Sequence, residues 1–398
     1  MHAPTLLPSR GPRAPYGTVL AQGARFDRVR HTRGRTVDVD SVEEFDRRLA
    51  RGTCTMAGWR LRGVDLTGRR AQLETADVTG ALFLGCRLDP GLEDRLRARG
   101  AIVFPTLPDV PVEVYRSRLY TPQELYDTAD YQTSLDARAY AWAGAGVDPD
   151  LAAALHDHAV DVALTGWIEG RHLVGVMGGH ALRRGQSEYA FAARLGRALG
   201  VDQVVTTGGG PGAMEAANLG AYLSREPQEA LDAALGVLAA APSFVPDVGA
   251  WVRAAFEVLD AHPHGAETLG IPTWHYGHEP PNPFATRIAK YFRNATREAI
   301  LLEVCDRGIV FLPGAAGTLQ EVFQDACENY YADESAIAPM VLVGREHWTD
   351  TVPAWPLLRT LARGRPMEDH VHLVDTVEEA AEVIGARGSR DSRVAPDA

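Results

Sequence analysis

The chain has 398 residues, 45% of them hydrophobic and 23% charged, with a formal net charge of -12. That length leads us to expect more than one domain and a sizeable core, the composition excludes the disordered class, and the acidic balance argues against a general nucleic-acid-binding surface. The N-terminal stretch has no apolar segment long enough for a signal peptide, no run approaches membrane-spanning length, and the four cysteines include no CxxC pair. A cytoplasmic protein with reduced thiols, and with neither a disulfide framework nor a zinc site, is expected.

In chain order, residues 1–35 carry seven arginines, Arg10 to Arg35, against the single acid Asp27, and read as a disordered basic arm. Residues 36–115 read as a small accessory domain. Within it GVDLTG (63–68) and TADVTGALFLGC (75–86) follow the five-residue rhythm of pentapeptide-repeat β-helices, though about two such coils are too few to stand alone. The proline-marked FPTLPDVPVEVY (104–115) reads as a linker. A helical region over 116–169 follows, with helices predicted at 121–142 and 148–164.

From 170 to 387 strands and helices alternate. LVGVM (173–177) is predicted as a strand, 187–200 as a helix, QVVTT (203–207) as a strand and 212–223 as a helix. An alanine-rich insert with two helical pieces leads to TRIAKYFRNATREAILLEVC (286–305), read as one long helix with apolar positions at Ile288, Tyr291, Phe292, Ala295 and Ala299. GIVFL (308–312), a helix from Thr318, PMVLVG (339–344), a helix near 349–363, HVHLV (370–374) and VEEAAEVIG (377–385) complete the series; 388–398 read as a disordered tail. The alternation predicts an α/β fold: a doubly wound, Rossmann-like parallel sheet with an additional small N-terminal region. Ligands of such sheets bind at the carboxyl ends of the strands.

Two of these strand ends are rich in glycine. TTGGGPGAME (206–215) offers the unshielded backbone of Gly208, Gly209, Gly210 and Gly212 at a helix N-terminus, an anion site suited to phosphate; equally, the glycines could serve only to permit a tight turn. It lacks the Lys-Ser/Thr of a P-loop, and no acid-terminated strand follows as a dinucleotide site requires. PGAAGT (313–318) offers Gly314, Gly317 and the Thr318 hydroxyl, with Glu321 one turn into the next helix. His180 of GGH (178–180) could line a pocket, and Asn282 of PPNP could contact a base or shape a turn. Lys290 is the only lysine among 40 basic residues. A pyridoxal phosphate enzyme would have to form its Schiff base there, and no partner motif accompanies it.

GGGPGAMEAANLGA (208–221) together with PGAAGTLQE (313–321) resembles the Lonely Guy (LOG) family, whose older annotation is lysine decarboxylase. GGH, GPGAMEA (210–216) and EPPNP (279–283) are similar to the bacterial pyrimidine/purine nucleotide 5′-monophosphate nucleosidases within it. The resemblance covers about 170–385 and does not extend to the N-terminal part. It implies hydrolysis of the N-glycosidic bond of a nucleoside 5′-monophosphate. By that resemblance Glu321 and Arg297 match the family's catalytic residues, and Gly314, Gly317 and Thr318 match its phosphate-binding turn. Gly179, His180, Met214, Glu215 and Asn282 are candidates for contacting the base or lining the pocket. It also implies a homodimer or higher even oligomer built partly by the 286–305 helix, and needs no cofactor and no metal. A non-hydrolytic nucleotide- or phosphorylated-cofactor-binding protein of the same fold is the alternative. Ala315 stands where the family has its second glycine; a positive φ there would strain alanine by roughly 1 kcal/mol or more.

Overall fold

A computed structural model describes residues 36–52, 55–143, 149–275 and 279–391. The basic arm read over 1–35 and most of the C-terminal tail lie outside the described residues.

The first sheet is built from β1 (Val37–Val39), α1 (Val42–Ala50), β2 (Trp59–Arg62), α2 (Arg70–Thr75), β3 (Leu82–Leu84), α3 (Leu92–Ala98) and β4 (Ile102–Phe104). Its strands pair in parallel in the order β1-β2-β3-β4, aligning Val39 with Leu61, Leu61 with Phe83 and Phe83 with Val103. These four side chains form one buried stack. The five-residue rhythm is visible as buried Met56, Leu61 and Leu66 in one coil and Val78 and Phe83 in the next. It covers only part of each turn. A short helix closes the coil and adds Phe45, Leu73, Leu92 and Leu96 to the same core, which is why partners stack about one whole coil apart rather than five residues apart.

The connecting region holds α4 (Pro122–Leu125), α5 (Leu135–Ala143) and α6 (Pro149–Ile168). The single helix expected over 121–142 is broken by local capping. Thr121 Oγ1 accepts from Glu124 N at 3.3 Å, Asp130 Oδ1 from Gln132 N at 3.1 Å and Ser134 Oγ from Ala137 N at 3.3 Å. Each side chain restarts the chain in a new direction.

The second sheet is wound from β5 (Leu173–Met177), α7 (Ser187–Leu199), β6 (Val204–Thr207), α8 (Ala213–Tyr222), α9 (Gln228–Ala239), α10 (Val248–Ala261), β7 (Leu269–Gly270), β8 (Arg287–Ile288), α11 (Asn294–Glu303), β9 (Ile309–Phe311), α12 (Ala316–Tyr331), β10 (Met340–Val343), α13 (Ala354–Ala362), β11 (Val371–Val374) and α14 (Val377–Asp391). All its pairings are parallel, in the order β11-β10-β9-β5-β6-β7-β8. The fold is therefore α/β and doubly wound. Its winding reverses between β5 and β9, and this switch point leaves a crevice at the strand ends. The apolar runs are strands because both faces are covered: all of Leu173–Met177 and Met340–Val343 is buried. Helices α7 and α8 touch backbone to backbone; a Cβ on Gly220 would stand 1.7 Å from Ala193 O.

The long helix expected over 286–305 does not form. Residues 287–288 are β8, Ala289 N donates to Gly270 O at 2.9 Å and Tyr291 N to Pro272 O at 3.0 Å. The Asp157 carboxylate accepts from Phe292 N at 3.0 Å and Arg293 N at 2.9 Å, and α11 begins only at Asn294. Sheet pairing overrides the helical spacing, and Ile288, Tyr291 and Phe292, expected on the apolar face of that helix, are buried in the core. Among the described residues no helix is long and apolar enough to cross a membrane.

Candidate functional site

The crevice at the switch point is a cavity of about 980 Å³. Three loops frame it: GGH after β5, the glycine loop after β6 and PGAAGT after β9. Gly179 N donates to Pro313 O at 3.2 Å, and Ala213 N donates to Gly179 O at 3.1 Å, so the GGH loop ties the other two together.

Glu321 projects from the first turns of α12 and Arg297 from the start of α11. Arg297 Nη1 lies 3.7 Å from Glu321 Oε1, with the side chains 12% and 15% exposed. Burial drives the Glu321 carboxyl up to about 7; Arg297 opposes that rise and Glu298 adds to it. Arg297 Nε and Nη1 are buried yet make no hydrogen bond among the described residues. Two charged donors are thus held in a low-dielectric site without an acceptor, an arrangement that costs free energy unless an anion arrives. Glu298 faces the cavity beside them, but its carboxylate is occupied by Asn294 Nδ2 at 2.7 Å and by Gln320 Nε2.

The PGAAGT loop opens α12 over the cavity. Its N-cap, Ala315, supplies no side-chain hydrogen bond to the first turn, so those N–H groups, with their share of the helix dipole, are available to a ligand. Thr318 is buried against Gly314, where an added Cβ would stand 2.2 Å from Thr318 Oγ1. His347 Nε2 lies 3.1 Å from Gly314 O and fixes the loop from the β10 side. Ala315 has φ -111°. The strain that a positive φ would impose is absent, and its exposed methyl group simply lines the cavity.

The glycine loop after β6 is a different object. Gly208 and Gly210 line the cavity with Ala213 and Met214, whereas Gly209 and Gly212 do not. Gly209 (φ +72°) and Gly212 (φ +75°) adopt a conformation that favours glycine, and a Cβ on Gly212 would meet Gly179 O at 2.5 Å. Gly209 N is already used by Thr207 Oγ1 at 3.0 Å.

Two of the base-or-pocket candidates do not line this cavity. Glu215 is 1% exposed beneath the loop and paired with Arg184, whose Nε donates to it at 3.1 Å. Asn282 is fully buried: its Nδ2 donates to Gly210 O at 3.2 Å, and its backbone N to Gly209 O at 2.8 Å. Asn282 shapes the turn. His180 and Met214 do reach the cavity, as does Glu279, the first residue of EPPNP. Glu279 Oε1 is 3.5 Å from His180 Nδ1. Burial raises the Glu279 carboxyl, with His180 first and then Arg297 and Lys290 pulling it back.

Residues 255–386 match the family model described as "Possible lysine decarboxylase". The match includes PGAAGTLQE (313–321) but not the glycine loop at 208–221. No curated protein sequence matches the chain. Among solved structures, a molybdenum cofactor binding protein from the phototrophic bacterium Rippkaea orientalis is 18% identical, covering 55% of this chain and 97% of its own, at a TM-score of 0.35. A Moco carrier protein from Chlamydomonas reinhardtii is also 18% identical, covering 55% and 99%, at 0.33. At such scores these likenesses carry no functional weight. Pyridoxal phosphate, which a lysine decarboxylase description implies, does not fit the residues present. Lys290 is 1% exposed, its Nζ lies 2.6 Å from Asp136 Oδ1, and it does not line the cavity. A Schiff base there would require breaking a buried ion pair.

Proposed function

We propose that the chain hydrolyses the N-glycosidic bond of nucleoside 5′-monophosphates, releasing free base and ribose 5-phosphate. The observation that carries this reading is the Arg297–Glu321 pair: two buried guanidinium N–H groups without an acceptor beside a carboxylate, both facing the cavity that the PGAAGT helix start overhangs. The uncapped start of α12 receives the 5′-phosphate, and Arg297 completes its neutralisation with a fork of charge-assisted hydrogen bonds. Cleavage of the C1′–N bond leaves the bonding pair on the base and oxocarbenium-like positive charge on the ribose. Ionised Glu321 opposes that charge and orients the water whose oxygen joins C1′. One proton of that water goes to the departing base, and the other remains on the new anomeric hydroxyl.

Incubation with AMP, GMP, CMP and UMP, followed by chromatography for free base and ribose 5-phosphate, tests the proposal. Release of base from at least one of them is expected. Saturable binding without any release would replace the hydrolase with a binding protein of the same fold.

A further inference from the structure

Glu279 is set against the glycine loop as deliberately as Arg297, at its opposite end. A Cβ on Gly208 would lie 3.8 Å from Arg297 Nη1, and a Cβ on Gly210 would lie 3.3 Å from Glu279 Oε2. The two charged groups therefore flank the Gly208–Gly210 stretch from its two ends. The surface between them is Met214, whose Sδ approaches Gly208 and whose Cε approaches Gly210, a polarizable floor suited to a flat ring. The backbone that follows Glu279 is anchored. Three residues on, Asn282 is bonded to Gly209 and Gly210, and Tyr126 Oη donates to Pro281 O. His180 Nδ1 approaches only Oε1, which leaves lone pairs on both carboxylate oxygens for a ligand.

This arrangement changes what the glycine loop can bind. A phosphate placed on Gly208–Gly210 would face a carboxylate, so the anionic end of a ligand belongs at PGAAGT and a hydrogen-bond-donating end belongs at Glu279. A carboxylate accepts and does not donate. Among the common bases only the guanine type presents two adjacent donors, N1–H and the 2-amino group, on one edge. Adenine and cytosine pair a donor with an acceptor there, and uracil offers one N–H between two carbonyls.

We propose that Glu279, oriented by His180, is the specificity-determining residue of the site and selects a 2-amino-6-oxopurine by accepting both N1–H and 2-amino hydrogen bonds. This assignment rests on the nucleotide reading of the cavity, but it is a statement about binding and does not require cleavage.

The test is calorimetric titration of the full chain carrying Glu321→Gln with GMP, IMP and AMP. A bidentate contact discriminates by about tenfold to a hundredfold, so GMP is expected to bind tightest, IMP in between and AMP weakest. Glu279→Gln in the same background replaces one acceptor with a donor, matching the adenine edge; it is expected to weaken GMP by about tenfold or more and to tighten AMP. Glu279→Ala is expected to weaken GMP without improving AMP. GMP and AMP binding within about threefold of each other before any change at Glu279 would overturn the assignment, a result that needs no further variant to fold. An unchanged GMP-to-AMP ratio in a folded Glu279→Gln protein would also overturn it, as would no binding of any of the three. The nucleosidase reading fails separately, through GMP-selective binding by a wild-type chain that releases no base.

Discussion

The two glycine-rich loops flank β5 on either side and look interchangeable as strings, yet they obey different constraints. The loop after β6 needs its glycines for the fold: two have positive φ, and Gly212 packs where no side chain fits. The loop after β9 is open. Gly317 has nothing within 4 Å of an added Cβ, and Ala315 occupies an ordinary backbone conformation. Glycine richness thus marks a tight turn in one case and an accessible helix start in the other. What separates them is the charge placed alongside: Glu321 stands on the helix that the open loop begins, Glu279 stands over the packed loop, and Arg297 lies between Gly208 and Glu321.

The largest expected effect tests the open side. Glu321→Gln removes the charge but keeps the size, so kcat should fall by about a hundredfold or more while nucleotide affinity barely changes. Steady-state kinetics with full activity retained would show that Glu321 only complements the helix dipole.

The packed side is broken by Gly212→Ala, which forces a methyl group towards Gly179 O in a strained backbone conformation. A stability loss of about 3 kcal/mol is expected in denaturant unfolding. Gly317→Ala, the matched change in the open loop, should leave stability unchanged or raise it by up to about 1 kcal/mol. Equal losses from the two substitutions would erase the distinction between the loops.

Acidity probes the pair itself. With Glu321 raised to about 7, the carboxylate needed for catalysis is lost as pH falls, and kcat/KM should decline by about tenfold per pH unit below that value. The sign for stability is opposite to that of an ordinary ion-paired acid. The folded state holds its proton more tightly than the unfolded chain, so the stability contributed by protonated Glu321 is present below the unfolded value and is lost as pH rises towards 7. A rate profile flat from pH 5 to pH 8 would remove Glu321 from the rate-limiting step, and this range should be scanned in ~0.5 unit steps.

The smallest effect is at Ala315. Because φ is -111° and the methyl group is exposed to the cavity, Ala315→Gly should change turnover by less than about twofold. A large gain would mean that the methyl group obstructs the ligand.

The sequence made the second sheet readable because buried parallel strands are apolar runs, and Leu173–Met177 or Met340–Val343 admit no other reading. It misled where pairing is remote. Residues 286–293 have helical spacing, but Gly270, Pro272 and Asp157 capture their backbone from distant parts of the chain. The coil length of the first sheet was hidden similarly, because α2 interrupts the five-residue rhythm. Within the site, Glu321, Arg297 and the PGAAGT turn stand in recognisable local motifs. Asn282 and Glu215 stand in motifs too, but nothing local reveals that both point away from the cavity, nor that Glu279 points into it.

The burial of Lys290 against Asp136 has a chemical consequence for handling the protein. Although 40 residues are basic, the folded chain presents no side-chain primary amine to solvent, since its only lysine is 1% exposed. Amine-directed acylating reagents and cross-linkers therefore find no side-chain amine while the fold is intact. Reaction at Lys290 becomes a direct chemical reporter of when α5 separates from the β8 segment.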